Sequence, residues 1–224
     1  MELSHTSKIL ARVLMGSGDN IHHKRKAQRD FKRKSKALDT RPRILIVCEG
    51  EKTEPNYFRE FPVKGNLVNV EIHGEGKNTR SLVEEAKRLA RIANNNKEPY
   101  DQIWCVFDKD SFPQFNDAVK ICESTKNFFA AYSNEAFEIW YLLHYNYHDA
   151  ATSRTEYERM LSKNLKTKYE KNSKNMYAIL LDKQPCAIRN AKKLRATYDS
   201  ISPHSNNPCT TVYELVEELN KYIK

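Results

Sequence analysis

Glu49, Asp108 and Asp110 each stand at the end of an apolar run of strand length. The runs are Ile44-Leu-Ile-Val-Cys-Glu-Gly50 and Ile103-Trp-Cys-Val-Phe-Asp-Lys-Asp110. Parallel strands covered on both faces read as such runs, and open α/β sheets bind ligands beyond the carboxyl ends of their strands. Carboxylates gathered there repel one another. A hard divalent cation relieves that repulsion, and Mg²⁺ prefers oxygen ligands of this kind, with Mn²⁺ as a substitute. Side chains two apart along a strand point the same way, so Asp108 and Asp110 share a side while Lys109 points away. Glu49 joins them only if strand 44–48 lies beside strand 102–107. Gly50 would then let the chain turn sharply and approach a phosphate. One or two metal ions on Glu49, Asp108 and Asp110 would clamp a phosphodiester. Lys52, just past the turn, would steady a phosphate or the transition-state charge, or is a solvated loop lysine.

Singly these signals are weak, because Asp or Glu after a strand is ordinary turn chemistry. Together, in this order, they are specific. Asn134, Glu135 and Glu138 open a helix after a later strand. Residues three apart share a helix side, so Glu135 and Glu138 would add metal ligands or orient substrate. The alternative is capping and acid placement at a helix N-terminus. Trp140, Leu142 and Leu143 read as core. His144 and His148 have i, i+4 spacing, but no third ligand is evident.

The elements that must position these residues alternate. Strands are expected at 44–48, 67–73, 102–107 and 127–132. Helices are expected at 54–61, 79–95, 114–124 and from a Ser133 or Asn134 cap to about 147. The 79–95 helix has apolar positions at helical spacing and a capping residue among Asn78, Thr79 and Ser81. This order implies a parallel sheet with right-handed crossovers. Beyond residue 150 the pattern predicts only helices, at 154–171, 185–198 and 208–224. Thr210 and Thr211 are expected to cap the last.

The charge is lopsided. Residues 22–43 hold ten Lys/Arg and two Asp/Glu, which is +8 of the chain's formal +9. Lys24, Arg25, Lys26, Arg29, Lys32, Arg33, Lys34, Lys36, Arg41 and Arg43 make this a flexible arm suited to nucleic-acid backbone through counterion release. Arg80 is a further candidate for phosphate contact. The five cysteines have no CxxC spacing, which argues against disulfides or structural zinc and fits a reducing cytoplasm. No apolar run is long enough to span a membrane, and no GxxxxGK[ST] string provides a nucleotide loop of its own.

The Glu-Gly turn after the first strand and the Asp-x-Asp after the third resemble the Toprim signature of topoisomerases, primases and OLD-type nucleases. The resemblance narrows to the RloB-like family of bacterial defence proteins. It is carried by Arg43-Ile-Leu-Ile-Val-Cys-Glu-Gly-Glu-Lys-Thr-Glu-Pro-Asn-Tyr-Phe58, Val106-Phe-Asp-Lys-Asp110, Ser133-Asn-Glu-Ala-Phe-Glu-Ile-Trp-Tyr-Leu-Leu-His144 and Asn207-Pro-Cys-Thr-Thr-Val-Tyr-Glu-Leu-Val216. It implies a Toprim-like (Rossmann-like) α/β domain at 44–150, with the basic arm at 1–43 before it and a helical region at 151–224 packed on it. It also implies a Mg²⁺-dependent nuclease in phage defence, with RNA such as tRNA ahead of DNA, often beside an ATPase called RloA. An oligomer is compatible with this. Two competing expectations are a non-catalytic nucleic-acid-binding or sensor subunit of an ATPase complex, and a Toprim domain making primers.

Overall fold

The computed structural model describes residues 41–76, 79–109, 115–198 and 202–223, apart from the Arg80 side chain. Asp110, Asn78 and the arm residues from Lys24 to Lys36 lie outside the described residues. Residues 41–224 form one compact unit.

Its centre is a five-stranded sheet in the order β2-β1-β3-β4-β5. The strands are β1 (Arg43–Cys48), β2 (Asn69–Gly74), β3 (Gln102–Asp108), β4 (Phe128–Asn134) and β5 (Cys209–Thr210). The first four are parallel and β5 runs antiparallel to β4. This is a Rossmann-like α/β sheet, the class that the sequence predicts. Strand β1 lies beside β3, with Cys48 opposite Val106, as a shared site for Glu49 and Asp108 requires.

Alternation along the strands explains the unbroken apolar runs. Ile44, Ile46 and Cys48 enter one buried cluster with Trp104 and Val106. Leu45 and Val47 enter a second on the opposite face with Ile103, Cys105 and Phe107. Each fully buried Leu, Ile or Val contributes about 1.5–3 kcal/mol relative to exposure. The second face is covered by α2 (Thr79–Asn95) and α3 (Phe115–Ser124), through Leu82, Ala86, Ala118 and Cys122. The first is covered by α1 (Thr53–Arg59), α4 (Glu138–Leu142), α5 (Arg154–Leu165), α6 (Met176–Leu180), α7 (Gln184–Arg195) and α8 (Val212–Asn220). Residues from both sides of position 150 share that cluster, and Trp140, Leu142 and Leu143 are core as expected. Four of the five cysteines are buried and all are free. Among the described residues no helix is long and apolar enough to cross a membrane.

The structure corrects the sequence in two places. The first is the helix expected from 133 to 147. Strand β4 instead continues to Asn134, and α4 has only five residues. Ser133 pairs with Thr210, and the Asn134 side-chain amide donates to the carbonyls of Pro203 and His204, so neither is free to cap. The second is the C-terminal region, which is not wholly helical. Strand β5 is built by threonines: the Tyr132 N–H donates to Thr211 Oγ1 at 2.9 Å, Thr211 Oγ1 donates to Ala130 O at 3.1 Å, and the Ser133 and Thr210 hydroxyls lie 3.0 Å apart. Thr211 therefore spends its hydroxyl on β4 rather than on α8. Helix α5 stops at Leu165, where Lys166 turns left-handed at φ 57°, and α6 was not foreseen.

Gly74 ends β2 against the loop that follows β1. A Cβ there would sit 2.8 Å from Pro55 Cγ and 2.9 Å from Gly50 O, whereas a Cβ on Gly65 meets nothing within 4 Å. Gly74→Ala is expected to lower stability by about 1–3 kcal/mol through overpacking. Gly65→Ala is expected to leave it unchanged; urea denaturation of the two variants checks this.

Candidate functional site

The β1–β3 ladder runs one residue past β1, because the Glu49 N–H donates to Val106 O at 2.9 Å. That places the Glu49 side chain across the end of β3. Its Oε2 accepts from the Asp108 N–H at 3.2 Å and its Oε1 accepts from the Thr79 hydroxyl at 3.0 Å. Thr79 is buried at the start of α2, so its hydroxyl serves the acid rather than capping the helix.

Two more acids close in from the helices. Glu54, in the first turn of α1, is 6% exposed, and Glu138, in the first turn of α4, is 3% exposed. A Cβ on Gly50 would collide with the Glu54 carboxylate. Gly50 is thus needed for the room it leaves to Glu54, and its φ is not in the left-handed region. Glu138 Oε1 accepts from the Tyr169 hydroxyl at 3.2 Å. With Asp108 and Glu49, these acids line a cleft of about 180 Å³. Phe137, Arg154 and Lys171 complete its wall. Behind it, Tyr57, Phe58, Phe137 and Tyr141 pack edge-on or tilted with ring centroids 5.3–6.1 Å apart, which holds α1 and α4 in place.

The electrostatics are those of crowded acids. Burial, then Glu54 and Glu138, push the Asp108 carboxyl well above the usual carboxylate range, against the pull of Arg154. Burial also pushes Glu54 up to about 7; Glu138 and Glu49 add to this, while its own backbone and Arg154 oppose it. Asp108 Oδ2 lies 3.4 Å from the Arg154 guanidinium, and Oδ1 is buried with no hydrogen-bond partner. Leaving such an oxygen unmatched costs about 1–3 kcal/mol or more. A hard cation fits that orphaned oxygen and the all-carboxylate donor set. Glu49, Glu54, Asp108 and Glu138 are the residues that would hold it. Among the described residues, however, no three His, Cys, Asp or Glu are already drawn into a metal cage.

Of the residues picked out from sequence, the cleft gathers Glu49, Asp108 and Glu138. Asp110 lies outside the described residues. Glu135 precedes α4 and neighbours Tyr157, so the expected same-side helical pair with Glu138 does not exist. Lys52 is exposed and is not among the described residues lining the cleft. Arg43 is committed to the fold at the opposite end of β1. It pairs with Glu71 Oε1 at 2.7 Å, donates to Glu98 O and stacks 4.6 Å over the Tyr100 ring. Arg41 donates to Gly65 O. His144 bonds through Nδ1 to Trp140 O at 2.9 Å and packs on Trp140, while His148 packs on Tyr157, so the two do not share a ligand. Burial holds His144 neutral, down at about 4.

The sequence reading missed Glu54, Thr79, Arg154 and Lys171 as site residues. Glu54 carried a signal, as an acid in the first helical turn after the carboxyl end of β1. Arg154 carried none, since 46 residues separate it from Asp108.

The raised Glu54 value fixes a pH dependence for the metal-free protein. The folded state binds this proton more tightly than the unfolded chain does. Its contribution is full below about pH 4.5 and is lost as pH rises to about 7. Thermal unfolding in EDTA should show wild type losing stability across that window, on the order of 3 kcal/mol at most. Glu54→Gln should flatten the profile.

No curated protein and no solved structure matches the chain. The family described as RloB-like protein matches residues 44–219, which include both strands that carry the acids and the helices that close the cleft. The chain belongs to the RloB-like family.

Proposed function

We propose that this protein is a Mg²⁺-dependent nuclease, with Mn²⁺ as an alternative, that cuts phosphodiester bonds in nucleic acid during phage defence. RNA such as tRNA is the favoured substrate over DNA. One observation carries the reading: Glu49, Glu54, Asp108 and Glu138 meet at the carboxyl ends of adjacent parallel strands, where a buried Asp108 oxygen has no partner. When bound, the metal supplies activation of the attacking group and neutralisation of the leaving oxygen.

The chain's own residues do the rest. Thr79 and the Asp108 amide hold Glu49 in a fixed orientation before substrate arrives. Tyr169 orients Glu138 in the same way. Lys171 is fastened over α1, because its carbonyl accepts from Thr53 Oγ1 at 2.8 Å, and it gives the cleft a second positive group beside Arg154. Acids on the floor and cations on the wall suit a phosphate held between them. The basic arm supplies sequence-independent affinity for the backbone. An RloA-like ATPase is the expected partner, since the sequence carries no nucleotide loop of its own.

One observation favours a second reading, that of a non-catalytic nucleic-acid-binding subunit. Asp108 already has a cation beside it in Arg154, and the acids are not drawn into a cage.

Cleavage separates the two. Purified wild type is expected to cut total tRNA or single-stranded RNA in Mg²⁺ or Mn²⁺ and not in EDTA. Glu49→Gln and Asp108→Asn are expected to lose at least about 100-fold of that rate, the scale set by transition-state charge stabilisation. Cutting that persists in both variants removes the metal mechanism. Removal of residues 1–40 should weaken RNA binding and flatten its dependence on salt, measured by fluorescence anisotropy across a salt series. Unchanged binding would leave the arm without this role.

A further inference from the structure

Arg154 is the first residue of α5, behind a Ser153 cap whose hydroxyl accepts from the Glu156 N–H at 3.3 Å. Its backbone is therefore anchored. Its side chain crosses into the cleft and remains 35% exposed. The guanidinium lies against Asp108 Oδ2, and its charge also acts on Glu54. The other cation of the cleft wall, Lys171, pairs with Glu158 at 3.0 Å and so is directed at a different acid. Arg154 is thus the cation that compensates the cleft floor in the fold as it stands.

We propose that Arg154 is the resident counter-ion of the metal-free cleft: a divalent cation displaces it from Asp108, and the freed guanidinium then takes a substrate phosphate. The proposal rests on the metal reading given above. Three observations support the exchange. Asp108 keeps one oxygen unmatched, so the arginine satisfies only half of the carboxylate. The 3.4 Å separation is long for a charge-assisted hydrogen bond, so little is lost when it breaks. The side chain's partial exposure gives it somewhere to go, and a planar fork of donors matches phosphate as well as it matches carboxylate.

The test uses the full chain and Mn²⁺ alone, followed by electron paramagnetic resonance. Removing an internal competitor tightens binding, so Arg154→Met should bind Mn²⁺ about 5- to 10-fold more tightly than wild type, the range for a partly exposed ion pair. With Ca²⁺ in place of Mn²⁺, the same variant should bind a single-stranded RNA oligonucleotide several-fold more weakly. Unchanged or weaker Mn²⁺ binding would overturn the proposal. A second measurement needs no variant. Phenylglyoxal labelling of Arg154 in wild type, read by mass spectrometry, should speed up when Mn²⁺ is added and slow again with the RNA. Labelling indifferent to Mn²⁺ would overturn the exchange. Asp108→Asn separates the two layers. If wild type binds Mn²⁺ no better than Asp108→Asn, the metal reading fails; if only the Arg154 results fail, that reading stands without the exchange.

Discussion

Repulsion among buried carboxylates is the constraint around which this fold is arranged. Four acids at one end of a sheet raise one another's affinity for protons, and two of them respond strongly. A stable protein tolerates this only if each acid is fixed or compensated. Thr79 and a backbone amide fix Glu49, and Tyr169 fixes Glu138. Arg154 partly compensates Asp108. The remaining deficit is concentrated on one oxygen of Asp108, which gives the site its appetite for a cation.

The two layers of helices divide the labour. Helices α2 and α3 cover one face of the sheet, and α2 also lends Thr79 to the site. On the other face, α1 and α4 each present an acid from the first turn, and the aromatic packing between them sets their spacing. The segments after residue 150 are more than packing. They bring Arg154, Tyr169 and Lys171, the cleft's cations and one of its orienting hydroxyls. The carboxyl end of the sheet is thus an acidic floor built by the parallel strands and a basic wall built by the helical region.

Much of this was legible in the sequence, for reasons that differ by element. The runs Ile44–Cys48 and Ile103–Phe107 could be read because both faces of the sheet bury them, and α2 matched its expected limits because its apolar spacing is regular. The Glu49–Asp108 pairing followed from strand ends on neighbouring strands. What failed was long-range. Ser133 and Asn134 look like helix caps until β5 arrives from more than seventy residues away to claim them. Thr210 and Thr211 look like caps until β4 takes their hydroxyls. Arg43 resembles the arm before it, yet Glu71, Glu98 and Tyr100 engage it in the fold. Glu135 and Glu138 share a side only on a helix that begins earlier than this one does.

The account stands on the acids holding a divalent cation. Anomalous scattering from crystals soaked in Mn²⁺ tests this most directly. The account predicts a peak about 2.1 Å from an oxygen of Asp108, shared with the Glu49 or Glu54 carboxylate, with the Arg154 guanidinium moved off Asp108. A cleft with no peak, its arginine still on Asp108, would contradict it.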